Sequence, residues 1–171
     1  MRGVKVAVRV LLATVVLALV GGGVAAALAH HHGYRAYAVR TASMVPDLPP
    51  GDLLIDAPPQ GPYVKGDVIT FEVTTAPGMD PVVTHRVHAV HDDEITTKGD
   101  ANRTPDPGTT TERDVVGKVV SQIPKAGYVL VFLQQPGGLL GVLTALIALM
   151  LSWSLFFGTS GPRDVTASRS P

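Results

Sequence analysis

Two long uncharged runs, one near each end, limit what this chain can fold into before any other residue is weighed. Residues 10–29 carry no charge across twenty positions, enough for a helix to cross a hydrocarbon layer about 30 Å thick. Residues 139–157, LLGVLTALIALMLSWSLFF, form a second such run. A domain small enough to lie between them cannot wrap helices that are apolar on every side. The expected organisation is therefore an N-terminal segment 1–9, a transmembrane helix 10–29, a folded region 30–138, a transmembrane helix 139–157 and a tail 158–171.

Charge around the two runs sets the expected orientation. Arg2, Lys5 and Arg9 precede the first, and Arg163 and Arg169 follow the second. The positive-inside tendency then holds both termini in the cytoplasm and the folded region on the outer face of the plasma membrane. Trp153, Phe156 and Phe157 lie near the far end of the second run, where aromatic rings favour the interface. A cleavable secretory leader competes for the first run, because Ala27-Leu28-Ala29 has the small-x-small form of a cleavage site. The run is long for a leader core.

Between the runs, about 105 residues suffice for one small domain. The whole chain balances 14 basic against 14 acidic residues, but residues 30–135 hold nine Lys or Arg against thirteen Asp or Glu, a net of −4. Nucleic acid is therefore not an expected partner. Cysteine is absent, which removes a disulfide framework, a thiolate nucleophile and a cysteine-based zinc site. Short β-rich runs at 52–56, 67–73, 81–90, 94–97 and 115–120 alternate with Pro, Gly and Asp clusters, and no helical periodicity interrupts them. They predict a mainly β, barrel-like domain.

Three stations within this domain carry the chemistry. Ser43 lies in Thr41-Ala42-Ser43-Met44-Val45-Pro46, His85 in Thr84-His85-Arg86, and Asp100 in Lys98-Gly99-Asp100-Ala101-Asn102. A hydroxyl nucleophile needs a base to take its proton and a group to orient the base, so Ser, His and Asp in one small domain point to acyl transfer. Ser43 stands about a dozen residues beyond the first apolar run, with Tyr34 to Val39 as a short lead-in strand. Met44 is read as dipping towards lipid, and Pro46 as stiffening the turn. His85, His88 and His91 compete for the base; strand alternation puts His85 and His91 on one face and His88 on the other. Equal spacing of three histidines suits a metal-binding helix better than a β-branched strand, so no metal is expected, and His30-His31-His32 is read as solvated at the interface. Asp100 and Asp106 compete for the orienting role, against the plainer reading that acids beside Gly, Asn and Pro cap turns. Lys98 is an alternative base, and the Ser43 amide a donor for the oxyanion. Lys-Gly-Asp occurs twice, at 65–67 and 98–100, each glycine supplying backbone freedom for a tight turn.

Ser-Met-x-Pro after an apolar anchor, His-Arg on a strand, then Lys-Gly-Asp-x-Asn with a further Asp six residues beyond the first: in this order the chain resembles type I signal peptidases of the archaeal and endoplasmic-reticulum kind. These use histidine where the ordinary bacterial enzymes use lysine. The resemblance covers residues 34–135 and the placement of the anchors. It implies Ser43 as nucleophile, His85 as general base, Asp106 as the carboxylate that orients it and Asp100 as the residue that holds the turn. It further implies Thr41 as a second oxyanion donor beside the Ser43 amide, and assigns Lys98 to the turn. The implied activity is that of a membrane-bound serine endopeptidase that cleaves signal peptides from exported preproteins at Ala-x-Ala-like sites. No cofactor is implied; the implied partners are secretory preproteins, membrane lipid and accessory membrane subunits. Asp47 departs from the small or hydroxyl residue more common at its position, which bears on the shape of the substrate wall. A competing reading from another class is a non-catalytic membrane-anchored β module that binds or scaffolds an exported partner.

Overall fold

The computed structural model describes residues 2–73 and 82–157. Helix α1 spans Arg2–His31 and helix α3 spans Pro136–Phe157. Within them Val6–His31 and Pro136–Ser154 are long and apolar enough to cross a membrane, and almost none of either is buried against the rest of the protein. Buried core helices would show the opposite, so two apolar helices project from a β domain. The expected tail 158–171, with Arg163 and Arg169, lies outside the described residues, as does Pro81.

Seven strands make one sheet: β1 Arg35–Ala38, β2 Leu53–Ala57, β3 Val68–Glu72, β4 Val82–His91, β5 Glu94–Lys98, β6 Thr110–Thr111 and β7 Val115–Ile123. Their spatial order is β1-β2-β7-β3-β4-β5-β6, and every neighbouring pair is antiparallel. The mainly β expectation holds, but the barrel does not: among the described residues no pairing joins β1 to β6. The edge strands have four and two residues, too few ladder groups for the stagger that closure requires.

Alternation along the strands gives two packed clusters. Ile69, Phe71, Val87, Ile95 and Val115 bury one face together with Tyr63, while Leu54 on β2 packs with Met44 and Leu48 from the β1–β2 loop. Burial of each such side chain contributes about 1.5–3 kcal/mol. Met44 is thus a core residue, 2% exposed, and the expectation that it reaches lipid is corrected. With Leu54 and Val68 offering an apolar floor beside it, the thioether is removed from solvent within the protein itself.

A helix occurs where none was expected. Helix α2, Ala126–Gln134, reads AGYVLVFLQ; it is apolar nearly all round, so it shows no 3.6-residue periodicity and its β-branched and aromatic residues resemble a strand. The carboxylate of Asp52 organises its start by accepting the Lys125 N–H at 2.9 Å and the side-chain amide of Gln122. Those two hydrogen bonds, led by the Lys125 N–H, hold the Asp52 carboxyl below its ordinary pKa. Helix α2 contacts β1, β2 and α3.

Asp56 is the one fully buried carboxylate on β2, with both oxygens lacking a hydrogen-bond partner among the described residues. Burial pushes its pKa up to about 6, and the Thr70 hydroxyl, itself bonded to Thr84 at 2.8 Å, lowers it by less. The folded protein keeps this proton up to about pH 6, whereas the unfolded chain releases it near 3.8. Stability therefore falls as pH rises from about 4 to about 6, by about 3 kcal/mol at most, and stays lower above that window. Thermal melting of the purified chain across pH 4–7 should show this fall, and Asp56→Asn should flatten it. A variant with the wild-type slope would contradict the assignment.

Candidate active site

Residues 39–52 form a loop between β1 and β2 whose base is closed by backbone bonds from Val39 N to Asp52 O and from Gly51 N to Val39 O, both 2.9 Å. Inside it, Val45 N donates to Ala42 O at 3.2 Å and Leu48 N to Met44 O at 2.9 Å, and the Val45–Pro46 peptide is cis. With Met44 and Leu48 buried, the side chain before them, Ser43, is held at the surface of the core. The turn is also tied across the sheet, because Ala101 N donates to Ser43 O at 2.9 Å.

Strand β4 supplies the imidazole. His85 pairs with Ile69 of β3 and lies on that buried face, 8% exposed. Its Nε2 is 3.0 Å from Ser43 Oγ, and its Nδ1 is 2.6 Å from Asp106 Oδ2. Thr97 on β5 donates its hydroxyl to the same Asp106 oxygen at 2.7 Å, and Asp106 N donates to Thr97 O at 2.9 Å. The carboxylate is thus fixed from both its side chain and its backbone. A cavity of about 470 Å³, lined in part by Phe71, Val83, Thr97 and Thr110, opens beside His85 and Asp106.

The sequence-predicted residues divide cleanly. Ser43, His85 and Asp106 come together in one hydrogen-bonded line, and Thr41 joins it with its hydroxyl 3.2 Å from Ser43 Oγ. Asp100 does not touch the histidine. Both its oxygens accept from Arg86, Oδ1 from Nε at 2.9 Å and Oδ2 from Nη2 at 2.7 Å. Arg86 points to the face opposite His85, and there it also donates to Asp47 Oδ2 at 2.8 Å and to Gly66 O at 3.0 Å. The hydrogen bonds to Asp100, followed by the two acidic charges, raise its already high pKa further. Asp47, the departure noted in the sequence, is therefore a partner of Arg86 as well as part of the loop surface.

Lys98 pairs with Arg86 in register, so it lies on the face away from His85 and is not placed as a base. The other two strand histidines also stay away. A bulge between Val87 and Ala89 makes His88 the extra, exposed residue and reverses the alternation beyond it. His91, opposite Glu94, consequently lies on the face opposite His85 rather than sharing it. A bulge leaves no mark in the residue pattern of β4, which is why alternation alone misassigned His91.

Two residues that sequence reasoning passed over complete the site. Thr97 carried no signal beyond its place on a β-rich run. The turn freedom expected of Gly99 is what the first Lys-Gly-Asp needs, since Gly66 has φ +101°. What Gly99 supplies is space: a Cβ there would lie 2.6 Å from Ser43 O, 2.8 Å from Asn102 Nδ2 and 3.0 Å from His85 Nε2. No family model matches the chain, and no curated protein matches it.

The division between the two aspartates has a spectroscopic signature independent of any activity. A short imidazole-to-carboxylate bond gives a far-downfield N–H proton resonance. It should be present in the wild type, persist in Asp100→Asn and vanish in Asp106→Asn. Its persistence in Asp106→Asn would contradict the geometry.

Proposed function

We propose that the protein is a membrane-bound serine endopeptidase, a signal peptidase, that removes signal peptides from exported preproteins on the outer face of the membrane. The observation that carries this reading is the line from Ser43 Oγ through His85 to Asp106 at 3.0 and 2.6 Å, in a domain joined at both ends to helices apolar enough to span a bilayer. Placing the domain outside the cytoplasm follows from the basic residues that flank the two helices.

In the proposed reaction His85 takes the Ser43 proton as Oγ attacks the scissile carbonyl carbon. Asp106 stabilises the imidazolium and holds the ring in the tautomer whose Nε2 faces the serine. The Ser43 N–H, which donates to no backbone carbonyl among the described residues, and the Thr41 hydroxyl stabilise the oxyanion. The imidazolium then protonates the departing amine, the C–N bond breaks, and an ester joins Ser43 to the signal peptide. Water, deprotonated by His85, hydrolyses that ester and restores the serine. The steps balance with these residues and water.

Processing of a labelled secretory precursor by the detergent-solubilised chain tests the reading. Ser43→Ala and His85→Ala should each abolish cleavage without releasing the protein from the membrane. Asp106→Asn should lower kcat by roughly 10⁴-fold, as loss of the orienting carboxylate does in such triads, and Asp100→Asn by less. Full activity in either of the first two variants would refute the assignment.

A further inference from the structure

Helix α2 shows water a face that is almost wholly apolar. Nine large apolar side chains are exposed among the described residues between the two spans, and five of them fall within residues 123–133. Four sit on α2 itself: Tyr128, Val129, Phe132 and Leu133, between 40% and 63% exposed. Their spacing gathers them on one side of a 3.6-residue helix, while Gly127, Leu130 and Val131 take the other. That other side is the one that packs. Gly127 is buried against the backbone of Gly51 and Asp52 with no room for a Cβ, and α2 contacts β1 and β2. No charged residue interrupts the helix.

What covers the outer side follows from where the chain enters and leaves the domain. Helix α1 ends at His31 and is tied to the start of β1 by bonds from Gly33 N to His30 O and from Tyr34 N to Ala29 O, both 3.0 Å. Helix α2 passes into α3 through one extended residue, Gln135, before Pro136 opens the new helix. The extended residue takes the chain out of the direction of α2, so α2 is not the first turns of the span. Strand β1, at the edge of the sheet, is also the strand that α2 contacts. Both spans therefore meet the domain at one edge, with α2 beside it, and a bilayer crossed by α1 and α3 passes along that edge.

We propose that α2 is an interfacial helix, its outer side seated at the boundary of lipid headgroups and acyl chains, and that this contact fixes the height of the Ser43 loop above the bilayer. The inference rests on the membrane-spanning part of the proposed function and not on its chemistry. Lipid fits the outer side better than a second protein does, because the apolar surface runs on without a break into α3, where Leu139 and Leu140 are equally exposed. Tyr128 suits the same depth, with its ring among acyl chains and its hydroxyl at the headgroups. The inner side carries the contact to the nucleophile. Gly51 and Asp52, against which Gly127 packs, are the residues whose bonds to Val39 close the base of the 39–52 loop. The Asp52 carboxylate also accepts the Lys125 N–H at the start of α2, so helix and loop move as one piece.

The chain has no cysteine, so a single introduced cysteine can carry a nitroxide label without background. The full chain is placed in phosphatidylcholine nanodiscs, and collisions of the label with oxygen, which enters hydrocarbon, are compared with those of a water-soluble nickel chelate. Labels on Val129→Cys, Phe132→Cys and Leu133→Cys should collide mainly with oxygen and report a depth of about 5–10 Å. A label on Val64→Cys, as exposed as Val129, should collide mainly with the chelate. Lipid contact at α2 with no cleavage of a precursor by the wild type would support the inference and sink the endopeptidase assignment. Chelate collisions at α2 beside oxygen collisions at Leu146→Cys would overturn the inference and leave the spans in place. Protection from both agents, with spin–spin broadening, would put a second copy on this face and likewise overturn it. The height claim has its own readout: Val129→Asp with Leu133→Asp should lower kcat/KM for a membrane-threaded precursor by about tenfold, while a soluble peptide is cleaved as by wild type. Unchanged processing of the threaded precursor would contradict that claim.

Discussion

The alternation of His85 and Arg86 on one strand is the constraint on which the rest of the site depends. Adjacent residues of a strand face opposite ways, so β4 sends an imidazole into one side of the sheet and a guanidinium out of the other. The imidazole meets Ser43 and Asp106. The guanidinium gathers Asp47 from the serine loop, Gly66 from the first Lys-Gly-Asp turn and Asp100 from the second. The segments around the Ser43–His85–Asp106 line are therefore fastened from behind by the neighbour of His85. Lysine at position 86 would present one point charge to these dispersed acceptors and lose the bidentate fit to Asp100.

A second constraint operates through packing. Ser43 is exposed to its partners only because Met44 and Leu48 are not exposed to anything else. Their burial on Leu54 converts a long loop into a rigid support, and the bond from Ala101 N to Ser43 O fixes the loop against the second turn. On this account the strength of the site resides in apolar contacts and backbone bonds, with the polar chain laid over them.

Much of this was legible in residue order. The two apolar runs, the five longer strands and the short lead-in strand at 35–38 all appear where composition and turn residues put them. Ser43, His85 and Asp106 are legible too, the last two through a family resemblance. What escaped has physical reasons. Barrel closure depends on how long the edge strands are, and β6 has only two residues. Helix α2 is uniformly apolar, so it carries no period to read. The bulge at His88 reverses a face without altering a single residue type. Asp100 and Asp106 have similar neighbours in the chain, and only the side of the sheet they reach separates an arginine clamp from an imidazole partner.

The central claim is that Ser43 forms a bond to substrate carbon, and acid-quench mass spectrometry reads that bond directly. Purified chain mixed briefly with a secretory precursor, quenched in acid and digested with trypsin, yields the peptide from Thr41 to Lys65, which contains Ser43. The account predicts that this peptide carries the signal peptide as an ester while the mature protein has already left. Mature protein released with no adduct on Ser43 at any quench time, at a rate matched by Ser43→Ala, would contradict it.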